Sequence, residues 1–296
     1  MILFEKLLAK DANTYIRFSD ENVEAFCANF DKNKDGRLSY DEVASVTVSE
    51  FNSANYNSSN KLMLFDEFQF FTGLSEGVVN TQRFNFNAGG SITIPNIPIS
   101  VNKLRCSTVT VRNTLNGFIS GDTLILKEKA GVNLGNVNFQ NYVVDENCEK
   151  FCKVGDFVLS KDKTRLLLSD SIGASVVLPD TVQRVEDRAL LGSTFTSVKV
   201  PNNVTYIGSH FSGMNMETVD IGENVKEIRH YFCYNNVAMK KVIFRGRVKI
   251  FSAGAFGWMY RFAPFTIYVR NEDIDYYKSI FKSPYNTYVK SIDEMK

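Results

Sequence analysis

The run SVVLPDTVQRV at residues 175–185 returns as SVKVPNNVTYI at 197–207, TVDIGENVKEI at 218–228 and KVIFRGRVKIF at 241–251. Superposing the four aligns Leu178, Val200, Ile221 and Phe244, with successive spacings of 22, 21 and 23 residues. Four positions on, Val182, Val204, Val225 and Val248 align; three further come Val185, Ile207, Ile228 and Phe251. Each copy holds a short alternating strand, a turn residue such as Pro179, Pro201 or Gly222, a second apolar pair, and an aromatic such as Phe211, Phe232 or Phe256. A unit this small cannot bury its own apolar side, so copies stack and their strands align as a parallel sheet. The period predicts a solenoid.

Downstream, FTIYV (265–269) is a degenerate fifth strand, and RNEDIDYYKSIF (270–281) has the polar and aromatic composition of a terminal cap, with a helix over residues 273–281. Upstream, SITIPN (91–96) nearly repeats SVKVPN (197–202), followed by STVTVRN (107–113), DTLILKE (122–128) and NVNFQNY (136–142). Ile94, Val111, Leu126 and Phe139 are read there as equivalent positions of shorter coils. DFVLSKDKTRLLLSD (156–170) carries two alternating apolar runs around Lys161, Asp162 and Lys163, a hairpin signal expected to interrupt the stack. Residues 79–296 thus read as one solenoid. It comprises irregular coils over 79–174 with a hairpin near 156–170, regular repeats over 175–265, and a C-terminal cap over 266–296.

Residues 1–78 differ. Val23, Phe26, Cys27 and Phe30 fall at i, i+3, i+4 and i+7, one face of a short helix capped by Ser19 or Asp20. SYDEVASV (39–46) reads as a second helix, FNSANYNSSN (51–60) as a polar loop, and MLFDEFQFFTGL (63–74) as a third helix. The fold class expected is α+β: a solenoid with a parallel β-sheet along one face, preceded by a small helical cap.

Between the first two helices lies DKNKDGRLSYDE (31–42). Asp31, Asn33 and Asp35 occupy positions 1, 3 and 5 of a twelve-residue loop, with Gly36 at 6, Arg37 at 7, Ser39 at 9 and Glu42 at 12, which is the EF-hand pattern. Ca2+ wants six to eight oxygens, which alternate short side chains, the Arg37 backbone carbonyl, Ser39 directly or through water, and a bidentate Glu42 supply. Mg2+ or Na+ in the same loop is the alternative. With no second loop and scattered methionines, the ion is read as a structural staple rather than a sensor.

The totals exclude several classes. Lys plus Arg number 34 and Asp plus Glu 33, without a basic run, so no nucleic acid or anionic membrane partner is expected. Apolar runs fall far short of the roughly 20 residues a membrane helix needs. The stretch MILFEKLLAK (1–10) is broken by Glu5 and Lys6, so no secretory signal is read there. Five cysteines do not make a disulfide framework, although CEKFC (148–152) could close a turn. Two histidines, His210 and His230, and no hydrolase, metalloprotease, phosphate-loop or dinucleotide motif leave a non-catalytic reading. Lys199, Asp220, Ile243 and Tyr268 alternate with the buried positions of successive strands, with Thr93 and Thr110 upstream. The first four are the candidate ligand-binding residues, for a protein or glycan partner.

SITIPN, SVKVPNNVTYIG and TVDIGENVKEI resemble the BspA-like leucine-rich repeats, best over residues 91–96 and 175–270. The leader with its loop and FDEFQFFTGL (65–74) is similar to one preceding such repeats. The resemblance implies a leucine-rich-repeat surface or secreted adhesion protein, binding through its repeats, with the calcium site carried onto Asp31, Asn33, Asp35, Arg37 and Glu42. The alternative is a host-like repeat component of a phage virion or tail.

Overall fold

The stacking that the period demands is visible as strand register. The computed structural model describes residues 14–170, 175–190, 194–209, 215–233, 236–252, 254–256 and 265–295. Phe211 and His210 lie outside them. The chain divides into two units, Met1–Lys150 and Phe151–Lys296.

In the second unit, strands Ser175–Val177, Ser197–Val200, Thr218–Ile221, Lys241–Phe244, Thr266–Val269 and Val289–Ser291 form one parallel sheet. Val200, Ile221, Phe244 and Val269 are register partners in turn, as the repeat alignment requires. A second strand in each coil, only two residues long, builds another parallel ladder: Arg184–Val185, Tyr206–Ile207, Glu227–Ile228 and Ile250–Phe251. Val182, Val204, Val225 and Val248, in the turns joining the two strands of each coil, are buried in the same core. Phe232 and Phe256 fill it further.

The hairpin forms as read, Phe157–Ser160 against Arg165–Ser169, and Phe151–Val154 adds a third antiparallel strand. It does not interrupt the stack of this unit: Arg165 and Leu166 pair parallel with Arg184 and Val185. In the shorter-stranded ladder the hairpin thus covers the backbone edge that Arg184–Val185 would otherwise leave open. At the other end, Ile274–Ile280 is the expected short helix, preceded by a 3-10 turn. Buried Tyr277 donates to the Gly246 carbonyl (2.6 Å) and accepts from the Val248 N–H (3.1 Å), tying the helix to the last repeat. Asp273, fully buried beside it, is paired with Arg247 and Arg270, as a buried carboxylate requires.

The first unit stacks parallel strands less regularly. Leu62–Phe65, Phe86–Thr93 and Thr108–Val111 lead to Thr114–Leu126, a 13-residue strand that pairs with neighbours along its whole length. Val111 stands beside Leu126, but Leu126 stands beside Val144, while Phe139 pairs with Gly121. The expected equivalence of Phe139 is therefore five residues out. Both halves of Val137–Val144 alternate, so hydrophobic pattern alone does not choose between the registers.

Helices are few and small. Glu21–Cys27 is capped by Asp20, and Tyr40–Ala44 begins within the last three residues of the 31–42 loop. Two expectations are corrected. The third helix is instead the strand Leu62–Phe65 and a 3-10 helix Asp66–Phe70. Phe65, Phe68, Phe71 and Leu74 are all fully buried, although only Phe68 lies inside the 3-10 helix, Phe65 ending the strand and Phe71 capping the helix. The polar loop begins inside a helix, Val48–Ser53, whose Phe51 is fully buried; the Thr47 and Glu50 capping box marks its start. Phe51 stacks with Phe30 and meets Phe26, Phe68, Phe71 and Phe84 edge-on or tilted, so the cap is an aromatic core.

Candidate functional site

The loop of residues 31–42 is held by its own side chains. Asp31 accepts from the N–H groups of Lys34 (2.7 Å) and Gly36 (2.9 Å), Asn33 Oδ1 from Asp35 (2.8 Å), and Asp35 Oδ1 from Arg37 (2.8 Å). Lys34 and Gly36 take left-handed backbone conformations, φ 58° and 77°, which turn the chain sharply enough for these contacts. Glu42 Oε2 accepts from the Ser39 N–H and hydroxyl, completing the capping box of helix Tyr40–Ala44. Its Oε1 reaches back to the N–H groups of Lys32 (3.0 Å) and Asn33 (3.2 Å). Burial pushes this carboxyl up, but the combined hydrogen bonds from Ser39, Asn33 and Lys32 hold it below its ordinary range.

Leu38, the apolar residue at position 8, is buried, and its carbonyl accepts from the Ile16 N–H (2.8 Å). Tyr15 and Ser39 form an antiparallel bridge, so residues 14–16 pair with the loop. The Arg37 guanidinium lies 4.2 Å over the Tyr15 ring. Asp20 anchors the entering helix: Oδ1 accepts from Asn22 and Val23, and Oδ2 from Met63 (2.5 Å) and Leu64 (3.2 Å). Burial opposes its charge, yet these four N–H groups pull its pKa below the usual aspartate value. Sequence reading placed Asp20 only as one of two caps; the span to Met63 and Leu64 leaves no local signal. Among the described residues, no three His, Cys, Asp or Glu side chains converge as a metal site.

On the second unit, the outward positions fall into rows. Val177, Lys199, Asp220, Ile243, Tyr268 and Lys290 are consecutive register partners, and two residues earlier so are Ser175, Ser197, Thr218, Lys241 and Thr266. The structure thus brings Lys199, Asp220, Ile243 and Tyr268 into one line. Lys199 is exposed and Tyr268 half-buried, and Asp220 is gripped at two points by Arg245, both contacts 2.7 Å. Ile243, expected to face out, is only 4% exposed. Adjacent strands stand about 4.8 Å apart, so a branched side chain between a tyrosine and an arginine-paired aspartate keeps little surface.

The shorter-stranded ladder carries Arg165, Arg184, Tyr206, Glu227 and Ile250 in register. There the Arg184 guanidinium lies 3.5 Å over Tyr206, and Glu186 accepts from both Arg165 and Arg184 at 2.8 Å. Upstream, Thr93 and Thr110 are register partners, with the Thr93 hydroxyl donating to Asp66 (2.7 Å). Among the described residues, no disulfide joins the five cysteines. No helix among the described residues is long and apolar enough to cross a membrane.

Residues 170–286 match the BspA type leucine rich repeat region, in six copies. Three solved structures are similar to this chain, and the first of them has the same kind of fold. A leucine rich cell surface protein from Faecalibacterium prausnitzii A2-165 is 14% identical with a TM-score of 0.53, over 77% of this chain and 68% of that one. The pneumococcal vaccine antigen PcpA is 15% identical with a TM-score of 0.47, over 67% of this chain and 60% of that one. A leucine-rich repeat protein from Eubacterium ventriosum is 14% identical with a TM-score of 0.35, over 75% and 70%. The chain spans 60% of the length of the pneumococcal antigen. No curated protein sequence matches it.

Proposed function

We propose that the chain is a recognition or adhesion protein of the cell surface or extracellular space. Its ligand, a protein or a glycan, binds on the outward faces of the stacked coils. One observation carries this reading: coils in strict register display aligned rows of polar, charged and aromatic side chains, including Lys199, Asp220 and Tyr268, on a sheet face. Stacked repeats present such extended surfaces without needing a catalytic cleft. The repeat match over residues 170–286 and the leucine rich cell surface protein of like fold support the same reading. The test is binding of the purified chain to immobilised extracellular-matrix proteins and glycans. Lys199→Glu with Tyr268→Ala is expected to weaken binding at least tenfold while leaving the melting temperature unchanged; unaltered binding to every ligand would remove this row from the site.

The loop of residues 31–42 is proposed to take Ca2+. The donors suit a hard cation in kind: every side-chain ligand is oxygen, and the two Asp31 oxygens and Asp35 Oδ1, each accepting one N–H, keep a second lone pair, whereas Glu42, whose oxygens each accept two hydrogen bonds, would exchange some of these for the ion. Asp31, Asn33, Asp35, the Arg37 carbonyl, Ser39 and Glu42 would hold the ion. Bound there, it would offset two of the three carboxylate charges of Asp31, Asp35 and Glu42 and tie together the helices on either side of the loop. Adding calcium to chelated protein is expected to raise the melting temperature, and Asp31→Ala to abolish that rise.

A further inference from the structure

Away from the loop and the regular repeats, the Met1–Lys150 unit carries a groove of about 830 Å3. Ligand pockets commonly run from roughly 300 to 1,000 Å3, so it is large enough for a short chain of sugars. Lys103 and Arg105 stand two residues apart on strand Ile99–Arg105, therefore on one face, and both are exposed and line the groove. Lys103 is the register partner of Phe118, and Arg105 of Ser120, which is itself the partner of Asn138. Among the described residues, neither cationic head has an ion-pair or hydrogen-bond partner. The groove's one carboxylate, Asp122, is held by the Ser107 hydroxyl at 2.5 Å. Two cations against one anion leave it electropositive.

The rest of the lining narrows the ligand class. Asn87, Asn138 and Gln140 border the groove, and their amides both donate and accept, which matches the hydroxyls of a sugar. Phe86 lines it, and Phe118, 61% exposed beside Lys103, offers a flat apolar face nearby. A protein interface would instead centre on large apolar side chains with few charges, whereas Phe84 and Cys106 of this lining are buried.

We infer that this groove binds an acidic oligosaccharide, with Lys103 and Arg105 on its carboxylates and the amides on its hydroxyls. The inference rests on the reading that coil faces recognise extracellular ligands, and names one such ligand class and its place. The probe is a short oligogalacturonate, titrated calorimetrically into the full chain, with its methyl ester and a single-stranded oligonucleotide as competitors for the assignment. The acid is expected to bind and the ester at least tenfold more weakly, since a charge-assisted hydrogen bond contributes about that factor. Lys103→Ala with Arg105→Ala should cost at least tenfold at an unchanged melting temperature, and Asn138→Ala a smaller loss. Lys199→Glu with Tyr268→Ala should change nothing. Equal binding of acid and ester, tighter binding of the oligonucleotide, or full binding by the Lys103 and Arg105 variant would overturn the inference. Loss only in the Lys199 and Tyr268 variant would overturn it too, and leave the proposed function standing. No binding of the acid, with retained binding to a matrix protein, would separate the two in the same way.

Discussion

The two units solve the same stacking problem differently. In Phe151–Lys296 each coil spends one short strand on each of two ladders, and turns such as those at Pro179, Pro201 and Gly222 separate them. In Met1–Lys150 a single strand, Thr114–Leu126, pairs with Ile99–Arg105 along its first half and Thr108–Val111 along its second. Its coils pack at register spacings of 17, 15 and 18 residues between Ile94, Val111, Leu126 and Val144. The regular unit repeats its turns and so repeats its surface; the irregular one gives up the repeat and gains a groove.

That contrast can be broken most severely at the cores. Phe51→Ala in the aromatic cap and Phe244→Ala in the repeats each remove a fully buried ring, and each should cost about 4 kcal/mol in chemical denaturation. A loss below about 1 kcal/mol at either would mean that its unit does not depend on that packing.

Next come the points of closest coil approach. A methyl group on Gly246 would sit 2.0 Å from the Glu223 carbonyl oxygen, and one on Gly121 1.8 Å from that of Cys106. Backbone cannot yield as a side-chain tip does, so Gly246→Ala and Gly121→Ala should each cost about 3 kcal/mol. Gly135→Ala, whose added carbon would meet only Asn133 Oδ1 at 3.4 Å, is the matched control and should be near neutral.

Calcium sharpens the contrast, because only the first unit contains the loop. At a hundredfold excess over the dissociation constant, a bound ion would add about 2.7 kcal/mol. Differential scanning should show that increment for the parent chain and none for Asp31→Ala; identical melting in calcium and chelator would refute the structural staple. Asp20→Ala should cost about 2 kcal/mol, the upper end for a lost helix cap, because it also frees the Met63 and Leu64 N–H groups. Its depressed pKa means this stabilisation is present above the unfolded aspartate pKa of about 3.9 and is lost as pH falls through the lower folded value. Glu67 is the smallest effect and has the opposite sign. Burial raises its pKa, so the stability it contributes at low pH is lost as pH rises through that folded value. Glu67→Gln should therefore raise the melting temperature slightly at neutral pH.

How much of this was legible follows from period. Leu178, Val200, Ile221 and Phe244 announced their ladder because each coil reuses the same turn, and the register of Val200, Ile221 and Phe244 agrees residue for residue. Phe65, Phe68, Phe71 and Leu74 were misread as an α-helix because a spacing of three fits the 3.6-residue turn over a short run and departs from it only in longer ones. Phe51 was hidden by its polar neighbours, though the Thr47 and Glu50 pair signalled the helix. In the 31–42 loop the spacing of Asp31, Asn33, Asp35 and Glu42 motivates the ion proposed there, and the structure adds the backbone hydrogen bonds those side chains accept. The groove was not, since Lys103, Arg105, Asn138 and Gln140 meet only after the long strand is folded across its neighbours. Ile243 carried an outward position in the pattern, but its neighbours across the sheet determine its burial.

Under the proposed function, recognition lies on the coil faces and the 31–42 loop only steadies its unit. Surface plasmon resonance on matrix proteins and acidic glycans, with calcium present, compares the parent chain with three variants: Lys199→Glu/Tyr268→Ala, Lys103→Ala/Arg105→Ala, and Asp31→Ala. Recognition on the coil faces predicts at least a tenfold loss in one or both coil-face variants at unchanged melting temperature, and retained binding below the lowered melting temperature of Asp31→Ala. Full binding by both coil-face variants, with binding lost in folded Asp31→Ala, would contradict it.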